Sequence, residues 1–352
     1  MIPLTLLLFA ALTGGGTPPE AQPLEPARAT PPLKPASARP IVVLDAPSNL
    51  GLRPSAPGKL PGVYQLPQSL RRNRIVERLG ARDAGAVPVP AYSPDPDLAV
   101  GFRNGSSLSA FTRTLADRME PLFRQGDLVV LLGGDCSVLL GGALALRRLG
   151  TYGLATIDAH DDYSYIRDRK RYEGIFTAAG LDIALVTGHG PAALSDLEGR
   201  SPYFQEAHVV QLGLSREPGD SVGYATEIFD HSAIRVFDAD RIRRDGARKV
   251  GEEARRHLEA LPIQGFFVHV DADVLDASIM PAVDSPNPKG LRFEELTALL
   301  AEMLKSPRVV GVELAILDPD LDPDGVYAAR FTDAVVAAFP AAPEAGAAKS
   351  HP

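Results

Sequence analysis

Two short segments of this chain set acidic residues and a histidine at alternating positions: Asp158-Ala-His160-Asp-Asp162 and His269-Val-Asp271-Ala-Asp273. Each closes a short apolar run, Gly153–Ile157 in the first case and Gly265–Val270 in the second. Alternate residues of an extended chain project to one side. Asp158, His160 and Asp162 therefore converge, as do Asp271 and Asp273. Carboxylates gathered at a strand end repel and desolvate each other unless a positive charge sits among them. A divalent metal meets that need. The competing reading is turn chemistry, in which strand-end aspartates accept backbone hydrogen bonds; the metal reading is preferred. His269 lies one step deeper in its strand and reads as a packed or supporting histidine rather than a ligand.

A third segment, Gly133-Gly134-Asp135-Cys136-Ser137, joins the run Leu128–Leu132 to an amphipathic stretch. Its glycines permit a sharp turn and a close approach to another group. Cys136 is the single cysteine, so no intramolecular disulfide forms. A lone cysteine is ordinarily an inert apolar residue. At a strand end beside a helix N-terminus, where the dipole favours a thiolate, Cys136 becomes a candidate ligand. Four carboxylates leave a one-ion site strongly negative, whereas two ions about 3.5–4 Å apart balance it and activate a bridging hydroxide.

The elements that position these residues alternate. Ile41–Leu44, Leu128–Leu132, Gly153–Ile157, Ile183–Thr187, His208–Leu212, Ile234–Phe237, Gly265–Val270 and Arg308–Leu314 are strand candidates. Helical spacing is found at Leu108–Phe123, Ser137–Leu149 (Ser137 as N-cap), Ala247–Leu261, Phe293–Leu304 and Val326–Phe339. Ser48–Tyr92 reads as irregular apart from a short basic helix near Ser69–Leu79. Such alternation predicts an α/β fold with a mainly parallel sheet covered on both faces, ligands gathering at the strands' carboxyl ends.

The chain has 352 residues, 45% hydrophobic and 23% charged, which is enough for one large core. Its net charge of −8 offers no positive field for a phosphate backbone, so nucleic acid is excluded as a partner. Residues 1–40 read as a leader: an apolar run at Ile2–Leu12, too short to span a bilayer, then a Pro-rich stretch. No Lys or Arg precedes the run. The expectation is an exported protein rather than a cytoplasmic one, with one domain over 41–340 and a disordered tail over 341–352. Asp320-Leu-Asp322-Pro-Asp324-Gly325 opens like a calcium loop, but the twelfth position is Phe331 where a glutamate is required. It reads as a turn that starts the last helix.

In this order and at these intervals, the three segments resemble the ureohydrolase family that includes arginase and agmatinase. The resemblance runs from about Leu128 to Gly325 and takes in DADVLDASIMPAVDSPNPKGL at Asp271–Leu291. It implies a three-layer α/β/α fold with an eight-stranded parallel sheet. It implies one ion held by Cys136, Asp158, Asp162 and Asp271, and a second held by His160, Asp158, Asp271 and Asp273. It implies manganese, urea-releasing hydrolysis of a small guanidino or amidine compound, and a homo-oligomer. Three positions depart from the family pattern. Cys136 replaces the first metal-binding histidine, and a soft thiolate suits zinc or iron better than manganese. Ala179 falls where the family has a proton-shuttling histidine, leaving His189 and Glu173 as nearby alternatives. Ile316 falls where a glutamate grips the guanidinium, with Glu313 three residues earlier on the same strand.

Asp162 and His269 are therefore the candidates to relay protons, and Ser164 and Glu313 the candidates to contact substrate. The loop from Tyr163 to Thr177, with Arg167, Arg169, Lys170 and Arg171, borders the mouth and suits a substrate bearing a carboxylate. Two rival readings remain open: a metal-binding protein without catalysis, and a zinc-dependent amidohydrolase on the same fold.

Overall fold

Eight short strands form the central sheet of the computed structural model, which describes residues 39–163, 176–215 and 229–340. They are β1 (Ile41–Asp45), β2 (Arg82–Ala86), β5 (Leu128–Leu132), β6 (Gly153–Ile157), β7 (Val209–Leu212), β8 (Arg235–Phe237), β9 (Phe266–Asp271) and β10 (Val309–Ala315); β3 (Pro96–Asp97) and β4 (Phe102–Arg103) make a separate small ribbon. The order across the sheet is β2-β1-β5-β10-β9-β6-β7-β8, and every pairing within it is parallel. Because β5, β6, β9 and β10 are buried on both faces, they are mainly apolar rather than alternating, with Thr156, His269, Asp271 and Glu313 as polar interruptions.

Residue alternation sorts each strand between two packed layers. On one face Val130, Leu132, Ala155, Ile157, Val268, Val270, Val312 and Leu314 pack with the helices Ala247–Ala260, Phe293–Leu304 and Val326–Ala338. On the other, Val129, Leu131, Leu154 and Phe267 pack with Gly105–Gln125, Leu139–Leu149 and Asp182–Val186. The parallel sheet covered on both faces is what the strand–helix alternation predicts, and its eight strands in three layers are what the family resemblance implies.

Four local expectations need correction. Ile183–Thr187 is not a strand: residues Asp182–Val186 form a short helix, all five buried. A short, uniformly apolar run carries no period that separates the two states. Ser137 is not an N-cap: it lies inside a 3-10 turn, Cys136–Val138, which leads into the helix Leu139–Leu149 and is capped by Asp135, its carboxylate accepting from the Ser137 backbone N–H at 2.9 Å. Ser48–Tyr92 contains the edge strand β2, whose sequence RDAGA is mostly exposed and so lacks an apolar signature. Its charges blunt the edge: Arg82 pairs with Asp127 at 2.9 Å and Asp83 with Arg71 at 2.8 Å. Finally, the helix Ala239–Asp245, capped by Asp238, is additional to the predicted set.

Ser164, Arg167, Arg169, Lys170, Arg171, Glu173, the leader and the tail lie outside the described residues. Among the described residues, no helix is long and apolar enough to cross a membrane.

Candidate metal centre

The four central strands β5, β10, β9 and β6 are direct neighbours, and their carboxyl ends deliver the three polar segments to one place. The turn after β5 is the tightest of these connections. Gly133 N–H donates to Leu314 O at 2.8 Å, and Ile316 N–H donates to Gly134 O at 2.8 Å. A Cβ at Gly134 would collide with the Ser48 backbone, so glycine is required there. Asp135 is buried but fully engaged, accepting from Gly51 N and Ser48 Oγ at 3.1 Å each and from Ser137. It is a structural aspartate. Cys136, next along, faces the site.

Two ligand-distance groups result among the described residues. In the first, Cys136, His269 and Asp271 place Sγ, a ring nitrogen and a carboxylate oxygen within 4.8 Å of one another. Cys136 Sγ donates to Asp271 Oδ2 at 2.8 Å. In the second, Asp158, His160 and Asp273 meet the same distance criterion. His160 Nδ1 lies 3.0 Å from Asp273 Oδ2 and 3.8 Å from Asp158 Oδ1. The groups are joined through the backbone, since Asp271 Oδ1 accepts from Asp273 N–H at 2.7 Å. Gln211 Nε2 fixes the other segment by donating to the carbonyls of Asp158 (3.0 Å) and His160 (2.9 Å). Asp162 belongs to neither tight group, but it lines the same cavity, with a left-handed φ of 40°.

The electrostatics are those of a cluster short of positive charge. Burial pushes the Asp271 carboxyl well above its usual range, with Asp273 and Asp158 adding to the shift. Asp162 is raised well above normal by burial, then by Asp158 and Asp182. Asp158 is raised to about 7, again by burial first and Asp273 second. His160 is lifted to about 10 chiefly by the Asp273 carboxylate. For His269, burial works against the charged form, but Glu313 and the nearby aspartates lift it to about 9. The Cys136 thiol is pushed well above its ordinary value by burial and then by Asp271 and three further aspartates. This overturns the expectation that the helix N-terminus favours a thiolate in the polypeptide by itself. Only a cation could hold that sulfur deprotonated here.

A divalent metal fits these residues. Asp158 Oδ2, Asp182 Oδ2 and Asp273 Oδ1 are buried acceptors with no hydrogen-bond partner among the described residues. Buried polar atoms are normally satisfied, and each exception needs a cause. Lone pairs directed at a cation would supply one, and the donor set of thiolate, imidazole and carboxylate is that of a metal site.

The site opens into a cavity of about 750 Å³ whose wall includes Cys136, His160, Asp162, Asp271, Asp273, Asp284 and Ile316. Ala179 also lines it, so the chain carries an aliphatic side chain where the resemblance calls for a shuttle. His189 is engaged elsewhere, 2.9 Å from Tyr163 Oη and 2.8 Å from Glu206. Glu313 does not reach the cavity wall; it is fully buried beside His269. His269 is likewise beneath the cavity, placed to act on Cys136 and Asp271 rather than on a substrate.

Two acids escaped sequence reasoning. Asp182 is fully buried and raised well above normal by desolvation, but it precedes a segment that reads as a strand. Asp284, crowded at the cavity wall, is raised to about 6 by desolvation and by Asp273. Its signal was its place within the Asp271–Leu291 stretch. Ile316 holds a φ of 73°, a left-handed conformation that costs a β-branched residue about 1–3 kcal/mol. Strain retained at a cavity wall is a common mark of a functional position.

Parallel three-layer architecture with acidic strand ends around a cavity defines a class, and comparison with known proteins specifies it. Residues 56–339 match the sequence model of the Arginase family, and the chain belongs to that family of hydrolases. It is 25% identical over 293 residues to the arginase of Bacillus caldovelox, covering 81% of this chain and 92% of that protein. The solved structure of that arginase superposes with a TM-score of 0.74 at 23% identity, covering 86% of this chain and 98% of the other. The N(1)-aminopropylagmatine ureohydrolase of Thermus thermophilus is 28% identical over 301 residues, covering 84% of this chain and 86% of its own. The formimidoylglutamase of Bacillus subtilis has the same fold, with a TM-score of 0.65 at 19% identity over 90% of this chain and 94% of the other.

Proposed function

We propose that this protein hydrolyses a carbon–nitrogen bond in a guanidino or amidine compound with the help of two divalent cations. The observation that carries the reading is the pair of buried, unpartnered carboxylate oxygens, Asp158 Oδ2 and Asp273 Oδ1, beside His160 at a cavity floor. One position would be held by Cys136, Asp158, Asp162 and Asp271, and the other by His160, Asp158, Asp271 and Asp273. The cations would supply Lewis acidity and a water acidic enough to ionise near neutral pH.

The chain's own residues would do the rest. Gln211 holds the Asp158–His160 segment rigid through its two carbonyl contacts. Asp284, titrating at about 6 on the cavity wall, is suited to carry a proton toward a leaving amine. Asp162 is the alternative carrier. Arg53 and Lys59 stand on the same wall, which suits a substrate whose far end is a carboxylate. Ile316 presents an apolar surface there, so the pocket need not select arginine.

The test is release of urea or ammonia over a panel of guanidino and formimino compounds, with manganese, zinc and iron supplied separately. Turnover of at least one compound is expected. Silence across the panel from metal-loaded protein would defeat the proposal. It would favour a second reading, a metal-binding member without catalysis, which the apolar wall at Ala179 and Ile316 supports. A single zinc per chain with amidase turnover would favour a zinc-dependent amidohydrolase on the same fold.

A further inference from the structure

Beneath the cavity a polar row crosses the sheet interior where only apolar residues are expected. Gln211, Thr156, His269 and Glu313 stand in register on the neighbouring strands β7, β6, β9 and β10. All four are fully buried. By alternation and register they share the face of Leu131, Leu154 and Phe267, against the layer that contains Asp182–Val186. A buried polar side chain left unpaired forfeits its hydration without compensation, and this row is badly paired. Both ring nitrogens of His269, both carboxylate oxygens of Glu313 and Thr156 Oγ1 have no hydrogen-bond partner among the described residues. His269 Nδ1 and Glu313 Oε1 are 3.5 Å apart, a separation that a small ring shift would close to a hydrogen bond.

Glu313 and Asp182 bring negative charge close to His269, with Glu313 Oε1 3.5 Å from its Nδ1. A His269 ring nitrogen also stands within ligand distance of Cys136 Sγ and Asp271. An imidazole caught between a buried carboxylate and a cation is the usual arrangement of a metal-binding histidine, the carboxylate fixing the tautomer and raising the ring's basicity.

We propose that His269, oriented by Glu313, is itself a ligand of the deeper cation position, which with Cys136 and Asp271 becomes a sulfur–nitrogen–oxygen site selective for zinc over manganese. This rests on the two-cation reading above and deepens it. The deeper position receives a donor set unlike that of the outer one, where Asp158, His160 and Asp273 offer only oxygen and nitrogen. Soft thiolate favours zinc, while carboxylate and imidazole alone leave the outer position open to manganese. The imidazole that position 136 lacks is thus supplied from the floor of the sheet, by a different strand from the one that carries Cys136.

The experiment uses the full chain loaded with zinc alone, and separately with cobalt(II) alone. Zinc-edge X-ray absorption of the wild type should show one sulfur at about 2.3 Å and nitrogen at about 2.0–2.1 Å. With cobalt, a thiolate-to-metal charge-transfer band is expected, lost in Cys136→Ser and retained in His160→Ala. His269→Gln should shift the cobalt ligand-field bands and weaken the deeper ion by about 10-fold or more, leaving the outer ion bound. Glu313→Gln should weaken it by about 10–100-fold, as loss of an orienting partner does. Near-ultraviolet circular dichroism confirms that each variant is folded, and the wild-type absorption spectrum stands without any variant. Two ions bound with no sulfur contact, or with spectra indifferent to His269→Gln, would overturn this inference and leave the two-cation reading standing. Failure of the wild type to bind any ion would overturn both.

Discussion

Two regions of this molecule are rich in aspartate at alternating positions, and they use it in opposite ways. At the carboxyl ends of β6 and β9, Asp158, Asp271 and Asp273 are buried and crowded; Asp158 and Asp273 each keep an oxygen without a partner among the described residues, and the second oxygen of Asp271 meets only the Cys136 thiol. Around Asp318–Asp324 the same residue type is bound by the backbone. Asp318 accepts from Gly62 N–H at 3.0 Å and from Asp320 N–H at 2.9 Å. Asp322 accepts from Tyr327 and Ala328 N–H at 3.1 and 2.8 Å, starting the last helix. Asp322 is also buried, so burial alone does not separate the two regions. What separates them is whether backbone donors meet the second oxygen. Where they do, aspartate shapes a turn; where they do not, the carboxylate needs a cation.

Removing one carboxylate from each region is the strongest test of that contrast. Asp158→Asn should lower turnover by more than about 100-fold, beyond the loss usual for a residue that merely supports a ligand. Its metal content should fall with it, read by elemental analysis. Asp322→Ala should leave turnover and metal intact while costing about 1–2 kcal/mol of stability in urea unfolding, as loss of a helix start does.

The effect of pH sharpens the same difference. In the chelated chain Asp158 moves from 3.8 to about 7 on folding, His160 from 6.5 to about 10, and His269 from 6.5 to about 9. All three changes mean that the folded state holds more protons than the unfolded state between those limits. Stability therefore falls as pH rises, the Asp158 share being lost between about 4 and 7 and the histidine share between about 6.5 and 10. Urea midpoints of the chelated chain should decrease from about pH 5 to about pH 9. Metal-loaded protein should show the opposite slope over the acid part of that range, because its ligands must shed protons to bind.

Ile316 lies at the junction of the two regions, between the end of β10 and Asp318. Ile316→Glu should raise kcat/KM for guanidino compounds by about 10-fold, through a charge-assisted contact worth about 1.4 kcal/mol. No gain on any guanidino compound would show that the wall at this position does not face the reacting group.

Much of this was legible in the sequence because charge interrupting an apolar run is conspicuous. Asp158, His160, Asp271 and Asp273 each stand where a strand ends, and alternation alone assigns them to a common side. The order of the strands was not legible, and several residues depend on it. Thr156, Gln211 and Glu313 look like scattered polar residues until β7, β6, β9 and β10 are placed side by side and they fall into one row with His269. Asp182 was hidden because IALV has no period, and because its neighbours His269 and Asp158 come from other elements. The edge strand β2 was missed for the converse reason: an exposed strand has no core to leave an imprint on its composition.

The most direct measurement is the number of divalent ions bound by the purified full chain, set beside that of Asp271→Asn. Asp271 belongs to one ligand group and is tied by a backbone bond to the other. Two ions per wild-type chain and fewer than one in the variant are expected. A wild type that binds none, or a variant that keeps both, would contradict the two-cation reading.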